Sequence, residues 1–175
     1  MIRQASEKDI KRIAEIYEAI HDREEAGLTT IGWTRGVYPT EETARTAVQR
    51  GDMFVCEVDE TDGRIVAAVI NQIQVPEYVN CNWEYDAPDE AAMVLHTLVV
   101  DPAAQGGGYG DSFVRFYEEY ALEQDCPYLR MDTNARNARA RAFYAKRGYA
   151  EPGIVDCIFN GIPGVKLVCL EKRLV

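Results

Sequence analysis

The sequence predicts an α/β fold built on a sheet of mixed strand direction. Three observations carry that expectation. Strand-like apolar runs are interleaved with segments whose apolar residues recur at i, i+3, i+4 and i+7. Strand–turn–strand pairs stand toward both ends of the chain. Between them, the apolar run "MVLHTLVV" at 93–100 passes through "DPAAQGGGYGDS" at 101–112 into a helical stripe.

Taken in order, "IRQA" is a short first strand. Ser6 caps a helix whose apolar face is Ile10, Ile13, Ala14 and Tyr17. Thr40 opens a second helix and Gly51 closes it. "MFVCEV" and "RIVAAVINQI" are strands joined by "DETDG", where Asp62-Gly63 is a hairpin signal. Residues 76–90 are an acidic, aromatic loop, and 92–100 a strand. After the glycines a helix runs from about 109 to 124, with the stripe Phe113, Phe116, Tyr117, Tyr120 and Ala121. "YLRMDT" is a strand, and "NARARAFYAKRG" a helix stopped by Gly148. Segments 154–159 and 165–171 form a last hairpin around "NGIPG".

At 175 residues the chain is expected to be a single domain, 1–175, with one sizeable core. No apolar run approaches the roughly 20 residues of a membrane span, and the opening residues lack a secretory apolar region. Five scattered cysteines, an odd number without C-x-x-C spacing, read as free thiols in a reducing cytoplasm. Two distant histidines argue against a metal site. A net charge of −10 argues against nucleic acid and suits a cationic small molecule, although solubility alone explains an acidic surface equally well.

The glycine corner is the strongest chemical signal. A helix N-terminus carries unpaired N–H groups and a partial positive charge. Glycines ahead of it let a bulky anion, a pyrophosphate above all, approach the backbone. No Walker lysine follows, and the third glycine of a dinucleotide fingerprint would fall on Asp111 or Phe113. What remains is Gln105-x-x-Gly108-x-Gly110, after a strand ending Val100-Asp101-Pro102.

That pattern resembles the acyl-CoA signature of the GNAT N-acetyltransferases, Q/R-x-x-G-x-G/A. "NARARAFYAKRGY" resembles the second signature of the same family, and "IRQASEKDIKRIAEIY" and "CLEKRL" resemble its usual first and last elements. The resemblance covers nearly the whole chain. It implies a mixed, splayed sheet of six to seven strands flanked by helices, opened between the fourth and fifth strands for the pantetheine arm. It implies acetyl-CoA as co-substrate and no metal. By position it assigns acetyl-CoA to Leu98, Val99, Val100, Gln105, Gly106, Gly107, Gly108, Tyr109, Gly110 and Asp111, and to Asn137, Ala140, Phe143 and Lys146. A basic residue usual within the loop is absent. The arginines and lysine at 136, 139, 141, 146 and 147 are an alternative source of charge.

Acetylating an amine requires a neutral nitrogen, a stabilised carbonyl oxygen and a protonated leaving thiolate. An amine of pKa about 10.4 is more than three units from neutral at pH 7, so a base is expected. The resemblance places the acid at Tyr144. For the base the order is His96, which interrupts the apolar strand 93–100, then Glu84. The alternative for Tyr144 and His96 is a place in the core. Trp33, Tyr38, Trp83 and Tyr85 are expected to wall an acceptor pocket made anionic by Glu77, Glu84, Asp86, Asp89 and Glu90. The alternative is a solvated loop anchored by its tryptophans. The expected partners are a small primary amine and, for assembly, a second copy as a homodimer, with neither nucleic acid nor membrane. Two other functions stay open: an acyl-CoA sensor without turnover, and acetylation of a protein N-terminus or lysine.

Overall fold

A computed structural model describes residues 1–57 and 65–175. The Asp62-Gly63 turn expected from sequence lies outside them. Seven strands form one sheet: β1 (Ile2–Gln4), β2 (Met53–Glu57), β3 (Ile65–Asn71), β4 (Ala92–Val100), β5 (Tyr128–Asn134), β6 (Ala150–Phe159) and β7 (Ile162–Arg173). Their order is β1-β2-β3-β4-β5-β7-β6. The helices are α1 (Ile10–Glu25), α2 (Glu41–Arg50), α3 (Tyr109–Glu123) and α4 (Ala138–Ala145). The mixed α/β class and the strand count expected from sequence hold.

By contacts the chain divides into two compact units. The first comprises Met1–Leu28, Trp33–Ile70 and Leu95–Glu119. Here Ser6 starts the first helical segment through a carboxylate: its N–H and hydroxyl both donate to Asp9, at 2.7 and 3.0 Å. α1 then buries Ile10, Ile13, Ile16, Tyr17 and Ile20, whereas Ala14 is half-buried. Thr40 accepts the Thr43 N–H at the head of α2, and Gly51 ends that helix at φ 79°. Only a left-handed residue can end a helix this way without steric cost. β2 pairs antiparallel with both β1 and β3.

The second unit comprises Thr29–Gly32, Asn71–Val94 and Tyr120–Val175. β5 pairs with β7 over all seven of its residues, from Tyr128↔Arg173 to Asn134↔Leu167. Its parallel ladder with β4 is registered only at Ala92↔Tyr128, Met93↔Leu129 and Val94↔Arg130. The last hairpin is longer and tighter than expected. Asn160 and Gly161, at φ 48° and 84°, make the turn, and Ile162–Gly164 already belong to β7. Asn-Gly supplies the two left-handed residues that a two-residue hairpin turn requires. The acidic loop is also more regular than expected, with short 3₁₀ turns at Pro76–Asn80 and Asp89–Ala91. Tyr78 of this loop packs into a hydrophobic cluster with Val94, Val155, Cys157, Leu167 and Cys169, with Cys81 and Trp83 against them.

Candidate active site

In the first unit, β4 leads into the glycine corner. Asp101, which is nearly buried, accepts the Ala103 N–H at 2.8 Å and pairs with the Arg12 guanidinium from α1. These contacts fix the 3₁₀ turn Pro102–Ala104. The chain then runs extended at Gln105 and turns left-handed at Gly106 (φ 90°) and Gly108 (φ 75°). Gly107 answers a different need, because a Cβ there would run into the Tyr109 ring. α3 begins at Tyr109, and its first backbone bond runs from Ser112 N–H to Gly108 O at 3.1 Å. The N–H groups of Tyr109, Gly110 and Asp111 precede that bond, at the positive end of the helix.

The corner fits an acyl-CoA pyrophosphate. Gln105 to Gly108 are exposed, and a Cβ built on Gly106 or Gly108 meets nothing within 4 Å. Bare backbone therefore faces open space, as approach of a large anion requires. The acid at Asp111 opposes an anion, but it is paired with Arg115 at 2.5 Å.

β4 carries a feature that sequence reasoning missed. Thr97 sits at φ 54°, a left-handed conformation that a β-branched residue rarely adopts. Its hydroxyl is hydrogen-bonded to the Tyr38 hydroxyl. His96, just before it, is half-buried, as are Leu98 and Val100, while Val99 is buried. Trp33 packs edge-on to Tyr38, with ring centroids 6.0 Å apart. Arg35, between these aromatics in sequence, binds Glu18, Asp22 and Glu25 of α1.

In the second unit, Tyr144 on α4 is buried between Phe143 and Tyr149, at ring distances of 5.0 and 5.6 Å. Burial pushes its hydroxyl pKa up, Arg147 offsets part of that, and the charge of Asp132 adds to it. The phenol therefore stays protonated, as a proton donor must. Asn137 is the N-cap of α4, accepting the Ala140 N–H at 3.1 Å. The basic stretch is partly committed within the fold. Arg141 pairs with Glu151 at 2.7 Å, and the Arg147 guanidinium lies 3.5 Å from the Phe143 ring centre. Arg136, Arg139 and Lys146 are exposed.

The acidic loop is anchored by the residues expected to wall a pocket. Trp83 donates its indole N–H to Tyr78 O at 3.0 Å and stacks on the buried Arg130 guanidinium, 4.6 Å from its ring centre. The backbone N–H groups of Glu84 and Tyr85 donate to buried Glu171, at 2.9 and 3.3 Å. The Glu84 carboxylate points to solvent. One carboxylate was not anticipated. Asp132 on β5 is half-buried, and the Tyr78 hydroxyl donates to its Oδ2 at 2.7 Å. Burial raises its pKa from 3.8 to about 6; the Tyr78 hydrogen bond pulls it down and nearby Glu77 pushes it up.

The first unit thus holds the glycine corner, His96, Trp33 and Tyr38; the second holds Tyr144, Glu84, Trp83, Tyr85 and Asn137. Asp132 shares its strand with Arg130, Thr133 and Asn134, so polarity alone does not single it out in the sequence. Among the described residues no group of three or more His, Cys, Asp or Glu could hold a metal ion. Nor is any helix there long and apolar enough to cross a membrane.

Comparison with known proteins bears on this arrangement. The family model described as "Acetyltransferase (GNAT) family" matches residues 12–149. No curated protein matches the chain. Solved structures do. An acetyltransferase of that family from Streptococcus agalactiae superposes with a TM-score of 0.78 at 22% identity, covering 99% of this chain and 94% of its own. The ribosomal-protein-alanine N-acetyltransferase from Brucella melitensis gives 0.69 at 20% identity, with 99% of each chain covered. The yncA protein from Salmonella typhimurium, solved with its cofactor acetyl-CoA, gives 0.68 at 16% identity, covering 100% and 94%. At these identities the likeness is one of fold.

Proposed function

The chain belongs to the GNAT acetyltransferase family and is an acyltransferase of acetyl-CoA-dependent chemistry, and from that premise we propose that residues 1–175 form one domain acetylating a small primary amine by direct attack. The observation that carries the cofactor half is the glycine corner. Two left-handed glycines, with open space where a Cβ would stand, lead directly into the start of α3. Gln105 to Asp111 would hold the pyrophosphate there, and the resemblance assigns Leu98, Val99, Val100, Asn137, Ala140, Phe143 and Lys146 to the same co-substrate. Bound acetyl-CoA supplies the acetyl thioester and its thiolate leaving group.

The chain's own residues manage the protons. Tyr144 donates its hydroxyl proton to the leaving sulfur, a role supported by a phenol held protonated by burial. His96 is the first base candidate and Glu84 the second. Trp33, Tyr38, Trp83 and Tyr85, with the acids of 77–90, favour a cationic acceptor. A protein N-terminus is the second acceptor reading, since one structure of the same fold is a ribosomal-protein-alanine N-acetyltransferase. The cytoplasm is the compartment that suits free thiols and this co-substrate.

The test is steady-state release of CoA from acetyl-CoA against spermidine, tyramine and a peptide with an N-terminal alanine. Turnover of either small amine supports the reading, and turnover of the peptide alone moves the acceptor to protein. Binding of acetyl-CoA without any turnover favours a sensor. In the same assay Tyr144→Phe should lower kcat about 10- to 10³-fold and leave acetyl-CoA affinity near that of the parent, because one hydroxyl acting in the transition state is lost. An unchanged kcat, with chemistry rate-limiting, removes Tyr144 from the role.

A further inference from the structure

We propose that Asp132 is the group that takes the proton from the acceptor ammonium, a role that rests on the acetyl-transfer reading above and replaces His96 and Glu84 in it. Alternate residues of a strand share a face, so Tyr128, Arg130, Asp132 and Asn134 of β5 stand on one side of the sheet. Each is met by a residue from another segment of the same unit. Tyr85 packs on Tyr128 with ring centroids 5.8 Å apart, and Trp83 on Arg130 at 4.6 Å. The Tyr78 hydroxyl binds Asp132 at 2.7 Å. A Cβ on Gly32 would run into the Asn134 side chain. The loops over this face, 29–32 and 76–91, overlap the segments expected from sequence to receive the acceptor.

Within that row Asp132 is the one carboxylate, and it is only half satisfied. Tyr78 occupies Oδ2, and Oδ1 accepts no hydrogen bond among the described residues. The residue as a whole is half-buried rather than sealed. The groups facing it are Glu77 and Tyr78 from the 3₁₀ turn, Cys157 from β6, Cys169 from β7 and Tyr144 from α4. None is cationic, so no salt bridge holds the carboxylate at ordinary acidity. A carboxyl raised to about 6 is a better base than a surface aspartate and is still mostly ionised at pH 7. Its charge also raises the pKa of the Tyr144 hydroxyl, which belongs to the same unit.

The protons balance. The ammonium gives one proton to Asp132, and the freed lone pair forms the C–N bond as the C–S bond breaks. Tyr144 gives its proton to sulfur, and the second proton of the nitrogen, released as the amide forms, restores the phenol. Asp132 then returns its proton to solvent.

The test uses the full chain with spermidine, tyramine and the alanyl peptide, following kcat/KM from pH 5 to 9. For any amine turned over, the parent rate should rise through a limb near pH 6. Asp132→Asn should lose that limb and fall about 10²- to 10³-fold at pH 7, with the deficit shrinking as the amine itself loses its proton. Asp132→Glu should restore the limb, which a structural role would not require. A folded Asp132→Asn protein that keeps the limb, or a His96→Gln protein that alone loses it, overturns the proposal. If none of the three amines is acetylated, the acceptor reading fails by itself. The carboxyl is then followed by ¹³C NMR in aspartate-labelled protein. A resonance titrating near 6 and absent from Asp132→Asn sustains the proposal; one near the ordinary value sinks it.

Discussion

Two loops flank β4 in the chain, residues 72–91 before it and 101–108 after it, and they keep their shapes by different means. The later loop is held by its backbone. Gly106 and Gly108 take left-handed conformations, Gly107 makes room for a ring, and the residues are exposed. Its anchors, Asp101 and Arg12, stand at the edge of the loop. The earlier loop has no glycine and is held by side chains arriving from far along the sequence. Arg130 lies under Trp83 and donates to the carbonyls of Tyr85 and Ala87, each at 3.4 Å, while Glu171 takes two of the loop's N–H groups. A loop shaped by backbone can present N–H groups to an anion. A loop shaped by buried charges can position carboxylates and phenols. The two constructions suit the two tasks of an acetyltransferase, holding the donor and moving protons.

Breaking the side-chain construction should have the largest effect. Arg130→Met removes the cation under Trp83, strands two carbonyls and leaves buried Glu171 without its nearby counter-charge. Loss of one partner from a buried charged network costs about 3–5 kcal/mol. Denaturant unfolding should show that drop together with exposure of Trp83 fluorescence. A change below about 1 kcal/mol would mean that packing, not the guanidinium, shapes the loop.

This difference also explains what could be read in advance. The glycine corner is legible because left-handed backbone and close approach demand a residue type at fixed local spacing. Gln105, Gly108 and Gly110 therefore announce it without reference to any distant residue. Helix ends at Thr40, Gly51 and Gly148 are legible for the same reason. Trp83 and Tyr85 read two ways, because an aromatic in an acidic loop looks alike in sequence whether it faces a ligand or covers Arg130. Thr97 gave no warning, since a β-branched residue in an apolar run is the usual sign of regular strand. Asp132 was hidden because its environment comes from Tyr78, Glu77, Cys157 and Cys169, up to 55 residues away in sequence as with Glu77.

Asp132 gives the next effect, and its sign is opposite to that of a paired carboxylate. Its folded-state pKa, about 6, lies above the unfolded value of 3.8, so the folded chain binds this proton more tightly. The stability it contributes is full below about pH 4 and is lost as pH rises through 6. Asp132→Asn should lack that slope. Relative to the variant, the parent should lose up to about 3 kcal/mol between pH 4 and pH 8, at 1.36 kcal/mol per pKa unit. Parallel stability–pH curves for the two proteins would show that the carboxyl is not perturbed, and would weaken its case as the base.

The smallest expected effect sharpens the other side of the comparison. Gly108 and Gly161 share a backbone state, φ 75° and 84°, and neither has an atom within 4 Å of where a Cβ would stand. Alanine at either position meets no steric barrier in the protein and pays only the left-handed strain, about 1–2 kcal/mol. Thermal unfolding should therefore report similar losses for Gly108→Ala and Gly161→Ala. Acetyl-CoA affinity, measured by calorimetry, should separate them. At Gly161, in the β6–β7 turn, the added methyl group touches nothing that the donor needs, and affinity should stay at the parent value. At Gly108 the methyl group enters the space where a pyrophosphate would meet the backbone, and affinity should fall about 10-fold, roughly 1.4 kcal/mol. Equal stability losses with unequal affinities would tie the open space at 106–108 to the donor. Equal affinities would reduce the glycines to a tight turn, and the search for the pyrophosphate would move to the exposed cations at 136, 139 and 146.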